Sequence, residues 1–156
     1  MSNLLIEVEE NGIVVKTSNI TVLDNDTIET IAQRASTELG IDLEEIIENI
    51  VGDFGSLKAK QNDKDKKIKI QRVCVELHFE SKEESQNFSS NSKWSKVHRW
   101  GCRKFKIAPD ACANLELREN SAEGPVINEN GKIGSFSGCK IVWLVKPGAE
   151  PNGSIL

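Results

Sequence analysis

The chain is 156 residues long, 38% hydrophobic and 28% charged, with a formal net charge of −4 and a pI of about 5.3. That length accommodates one domain or two small ones, but three tryptophans, five phenylalanines and no tyrosine argue against a single large core. The acidic balance argues against a general phosphate-binding surface, which needs clustered positive charge, so no nucleic-acid partner is expected.

The N-terminal "MSNLLIEVEENG" lacks the positive and long apolar regions of a signal peptide. No stretch reaches the roughly 18 apolar residues of a membrane span. The expectation is a cytoplasmic protein without a membrane partner.

Leu4 to Val8 reads as a strand. Asn11-Gly12 is a strong hairpin signal, because both central residues of a type I′ turn need positive φ. Ile13 to Leu23 reads as the returning strand. Asp26-Thr27-Ile28-Glu29 fits a capping box with Asp26 as cap. Ile28, Ile31, Ala32, Ala35 and Leu39 then recur at helical spacing, and Gly40 supplies a left-handed stop. Hairpin, helix and further strand is the opening order of an α+β, β-grasp domain. Leu43 to Val51 fits either a short helix or a strand entry. Gly52, Gly55 and "QNDKDKK" mark turns, and the run Lys64-Asp65-Lys66-Lys67 reads as a solvated turn or strand end.

In "KIKIQRVCVELHFES" the apolar positions Ile68 and Ile70 change parity to Val73, Val75, Leu77 and Phe79. Side-chain direction alternates with period two, so this implies a bulge or two separate strands. A domain junction is placed here, dividing the chain into 1–70, 71–147 and a tail, 148–156. The serine-rich "KEESQNFSSNSK" reads as an exposed loop. Trp94, Val97, Gly101, Cys102 and Phe105 fall on one face of a second helix, which has ended by Pro109. Trp94 is assigned to the core, whereas Trp100 points away from that face. His78, between Leu77 and Phe79, is placed on the surface side of its strand. "NLELREN" and "CKIVWLVKP" read as strands, with the turn-rich "AEGPVINENGKIGSFSG" between them.

Cys74, Cys102, Cys112 and Cys139 form no C-x-x-C pair, and zinc ordinarily uses tighter spacing. A reducing compartment disfavours disulfides. The expectation is four ordinary thiols, and no metal. His98 and Cys102 are helical i, i+4 neighbours. A thiol–imidazole catalyst also needs an orienting third group, which the sequence does not supply, so no catalytic residue is assigned.

"DTIETIAQRASTELGI" resembles the helix of ubiquitin in its cap, its length and the Gly-Ile that follows, and "NITVL" takes the place of the preceding strand. "KIAPDACANLELRENSAEGPV" is similar to the stretch after that helix, where Ile-Pro-Pro-Asp leads into a strand. "KIGSFSGCKIVWLVKPG" resembles ubiquitin's last turn and final strand. Two such units resemble a tandem ubiquitin-like modifier, of the kind found as BilA-like proteins in bacterial antiphage conjugation operons.

The resemblance implies two tandem ubiquitin-like β-grasp domains, and a protein that is a substrate of enzymes rather than a catalyst. The implied partners are an E1-like adenylating enzyme, an E2-like conjugating enzyme, a JAB-type metallopeptidase and target proteins. ATP is used by the activating partner, and the chain itself holds no cofactor. There is no terminal Gly-Gly. Gly153 is the implied conjugation residue, with Gly148 the alternative, after cleavage between Gly153 and Ser154. Pro147, Gly148, Pro151 and Asn152 form the implied partner-binding tail. The prolines keep it extended, and glycine passes a narrow channel. The alternatives are a ubiquitin-like interaction module that is never conjugated, a sulfur carrier, and a small thiol enzyme using Cys102.

Overall fold

The computed structural model describes residues 2–54 and 66–148. The fold class is α+β. The chain separates into two compact units, Met1–Arg72 with Ser89–Asn91, and Val73–Phe88 with Ser92–Leu156. Each gathers its own apolar cluster.

In the first unit β1 (Ser2–Glu10) and β2 (Ile13–Val22) form an antiparallel hairpin in which Leu4 faces Ile20. Its turn is Asn11-Gly12, with φ of 55° and 82°. These are the positive values that a tight right-twisted hairpin requires. α1 (Ile28–Leu39) follows and ends at Gly40, φ 66°. Its N-cap is Thr27, whose side chain accepts from the Thr30 amide at 3.1 Å.

Asp26, the expected cap, has other partners. It accepts from the Leu23 amide at 2.6 Å and from both terminal nitrogens of Arg34 at 2.7 Å. Aspartate and threonine are both good caps, and the ion pair with Arg34 draws Asp26 out of the capping position. Residues from Leu43 onward resolve as a helix, α2 (Leu43–Phe54). Ile46 and Ile50, one helical turn apart, are both buried. β3 (Lys66–Phe79) then runs parallel to β1, setting Ile6 against Ile68 and Val8 against Ile70. Arg72 bridges Glu45 on α2 and Glu10 on β1 at 3.0–3.1 Å.

β3 is continuous through the parity change. Ile68 and Ile70 belong to the first cluster, whereas Val73, Val75 and Leu77 belong to the second. The parity change falls at Gln71 and Arg72, where the strand passes from the first cluster to the second.

In the second unit β3 is followed by β4 (Lys82–Ser89), with Glu80–Ser81 as the turn. α3 (Trp94–Lys104), α4 (Pro109–Ala113), β5 (Glu116–Glu119) and β6 (Cys139–Val145) complete it. The strand order is β4-β3-β6-β5, with β6 parallel to β3 and antiparallel to β5. The expected loop at 81–92 is therefore largely a strand. Lys82 to Gln86 are exposed and only the end of β4 is buried, including Phe88. Such a strand is held by main-chain bonds and carries no apolar alternation to read.

Trp100 also departs from expectation. It is 5% exposed and meets Phe88 edge-on at 5.3 Å. The buried face of α3 spans Trp94, Val97, His98, Trp100, Gly101 and Cys102, a wider arc than the five-residue stripe. Gly101 has a packing reason, since a Cβ there would collide with the Leu77 side chain. Among the described residues, no helix is long and apolar enough to cross a membrane.

Candidate functional site

Two features of the second unit hold its chemistry. The first is the root of the tail. β6 alternates, with Val142 and Leu144 in the core and Trp143 and Val145 half-buried on the other side. Lys146 and Pro147 then leave the strand, and Gly148 adopts φ 77°. A side chain at Gly148 would meet open space, so the left-handed backbone, not crowding, is what favours glycine there. Beside this exit lies a groove of about 770 Å³. Phe79, Ile107, Ala111, Leu115, Trp143 and Pro147 are among its lining residues. The structure therefore sets Pro147 against an apolar groove, with Gly148 the next residue in the chain. Pro151, Asn152, Gly153 and Ser154 lie outside the described residues.

The second feature is a buried cluster at the end of α3. The expectation of four ordinary thiols is overturned. Cys74 is bonded to Cys139, and Cys102 to Cys112. Cys74 and Cys139 are direct partners in the β3–β6 register, with Cα atoms 4.5 Å apart. Cys102 closes the end of α3, and α4 presents Cys112 to it at a Cα separation of 5.9 Å. Both separations suit a disulfide. The pairings were illegible because the partners stand 65 and 10 residues apart. Tertiary contact alone brings them together.

His98 is 9% exposed and sits within this cluster. Its Nδ1 faces Glu129 Oε2 at 2.7 Å, and its Nε2 faces the Cys112 carbonyl at 2.8 Å. Both neighbours are acceptors, so the arrangement is fully satisfied when both ring nitrogens carry protons. The hydrogen bond to Glu129 accordingly raises the His98 pKa above its ordinary value. Burial opposes the rise, and the Cys112 carbonyl assists it. The conceivable Cys102–His98 catalytic pair is not present in this state, because the Cys102 sulfur is bonded to Cys112. Glu129, which orients the imidazole, lies in a turn-rich stretch where no local pattern identified it.

His78 stands on the outer side of β3, as expected. It stacks on Trp143 at 4.8 Å, and its Nε2 meets Glu76 at 2.6 Å. Among the described residues, two groups have the composition and spacing to hold a metal ion. They are His98 with Cys102 and Cys112, and Glu76 with His78 and Glu83.

No family model matches the chain, and no curated protein matches it. Among solved structures, it is similar to a ubiquitin from Caldiarchaeum subterraneum at 12% identity and a TM-score of 0.40. The match covers 48% of this chain and 92% of that one. Agreement this loose is a resemblance over about half the chain, and the fold class rests on the strand order and pairing instead.

Proposed function

We propose that the protein is a tandem ubiquitin-like modifier, activated by an E1-like enzyme and passed by an E2-like enzyme to target proteins. Its place would be a cytoplasmic conjugation pathway of the antiphage type. In this reading the chain is a substrate, not a catalyst. ATP is consumed by the activating partner, and a JAB-type metallopeptidase trims the tail after Gly153.

The observation that supports it is the strand order. In each unit a leading strand pairs in parallel with a later one, β1 with β3 and β3 with β6, and helices lie between them in the chain. Such parallel pairing is a feature of β-grasp domains and supports this reading. In the second unit the last strand passes through Lys146 into Pro147-Gly148. A slender, extended carboxylate-bearing tail is what adenylation and thioester transfer require, since the nucleophiles belong to the partners. The apolar groove beside the tail root favours one second reading, a ubiquitin-like interaction module that is never conjugated.

The test is an N-terminally tagged chain expressed with its genomic neighbours, followed by intact mass and a denaturing gel. Loss of Ser154–Leu156, with heavier bands that vanish in Gly153→Ala, is the expected result. Heavier bands that survive Gly153→Ala but vanish in Gly148→Ala would move the attachment point to Gly148. An unchanged mass with no heavier band would refute conjugation and leave the interaction module.

A further inference from the structure

We infer that reducing the Cys102–Cys112 disulfide turns the end of α3 into a zinc site, with Cys102 Sγ, Cys112 Sγ and His98 Nε2 as its ligands. The three ligand positions are already assembled, with one ligand atom of each residue within 4.8 Å of the others. His98 and Cys102 share a face of α3 as i, i+4 neighbours. Cys112 arrives from α4, which begins at Pro109. Zinc–thiolate bonds of about 2.3 Å in a tetrahedral arrangement place two sulfurs about 3.8 Å apart. The Cα separation of 5.9 Å leaves room for that spread once the bond between the sulfurs is gone.

Glu129 is the observation that makes this more than three residues in proximity. Its carboxylate holds His98 Nδ1 at 2.7 Å. A carboxylate behind a ligating imidazole is the usual outer support of a zinc site, fixing both tautomer and ring orientation. The opposite nitrogen, Nε2, meets the Cys112 main-chain carbonyl at 2.8 Å in the oxidised chain, and ligation exchanges that acceptor for the ion. His98 and Cys102 are 9% and 5% exposed. Cys112 is half-buried. Two sulfurs and one imidazole suit zinc, whereas calcium and magnesium require oxygen donors. The fourth position is left for water or an incoming ligand.

The exchange balances with a dithiol as reductant. Two electrons and two protons pass to the protein, the Cys102–Cys112 bond breaks, two thiols form, and the dithiol closes to its own disulfide. Zinc then displaces both thiol protons and the Nε2 proton. Cys74–Cys139 joins no such group among the described residues. Ala111 and Leu115, flanking Cys112 in the chain, line the groove at the tail root. The same short segment thus serves the exchange and the groove.

The experiment uses the full chain, reduced with a phosphine, desalted and titrated anaerobically with zinc or cobalt(II). The expected result is one ion per reduced chain, an intense near-ultraviolet thiolate-to-cobalt band, and no uptake by the oxidised chain. Cys112→Ser should weaken both the binding and the band, and Cys102→Ser/Cys112→Ser should abolish the band. Glu129→Gln should weaken binding about 10- to 100-fold while keeping the band. Cys74→Ala/Cys139→Ala should bind as the parent does. Phosphine frees all four thiols, so the band is assigned to Cys102 and Cys112 by its survival in Cys74→Ala/Cys139→Ala, and its loss in that variant would overturn the inference. Absence of the band in the reduced parent would overturn the inference. So would uptake that is equal in the oxidised chain and lost in His78→Ala, which places the metal on Glu76, His78 and Glu83.

Discussion

The two disulfides are predicted to differ in what they contribute to stability. The perturbation is reduction, applied within variants that each keep one bridge. One variant, Cys102→Ala/Cys112→Ala, keeps only the Cys74–Cys139 bridge, and the other, Cys74→Ala/Cys139→Ala, keeps only Cys102–Cys112. Each is unfolded with and without reductant, in the presence of a chelator. Cross-linking removes loop entropy from the unfolded chain by a constant plus a part that grows with the logarithm of loop length. For a separation of 65 residues that amounts to about 4 kcal/mol, and for 10 residues to about 2.7 kcal/mol. With a urea slope of roughly 1.5 kcal/mol/M, reduction should move the midpoint by about 3 M in the first variant and about 2 M in the second. Tryptophan fluorescence is the probe. The chain has three tryptophans and no tyrosine, and Trp94, Trp100 and Trp143 all lie in the second unit with both bridges. An equal shift in the two variants, or a larger one for Cys102–Cys112, would refute the reasoning. No shift at all in the first would refute the pairing of Cys74 with Cys139.

Further expectations concern packing, capping and pH. Gly101→Val should destabilise the second unit by about 1–3 kcal/mol, because its side chain enters the space of buried Leu77. Wild-type thermal stability would contradict that packing. Thr27→Ala should cost about 1 kcal/mol by far-ultraviolet circular dichroism melts, through loss of the bond to the Thr30 amide. No loss there would return the cap to Asp26. In the oxidised chain, the His98 pKa is raised above 6.5 by Glu129. The pair's contribution is therefore fully present below that unfolded value and fades as pH rises through the folded one. Urea midpoints should fall across that window in the parent more than in Glu129→Gln, and parallel profiles would exclude the pair as the cause.

Local signals carried the first unit well. Asn11-Gly12 and Gly40 are read from backbone demands that no tertiary contact needs to supply, and both appear with positive φ. The cap slipped by one residue because Asp26 and Thr27 are chemically alike as caps, and the choice depends on Arg34, eight positions on. The helix α3 was legible from its stripe, but Trp100 was misplaced. A five-residue pattern describes one packed side, whereas this helix also receives Phe88 from β4. β4 was hidden because its main chain pairs while most of its side chains remain polar and exposed.

Apolar periodicity and turn chemistry thus determined the α+β class, the hairpin, the helices α1 and α3, and the strands β5 and β6, since these depend on residues within a few positions of one another. Only the tertiary structure decided the chemistry. Cys74 meets Cys139 through strand register, Cys102 meets Cys112 through the packing of α4, and Glu129 reaches His98 across 31 residues of chain. Each of these contacts is a long-range closure, whose geometry is set by the packed core and leaves no period in the sequence.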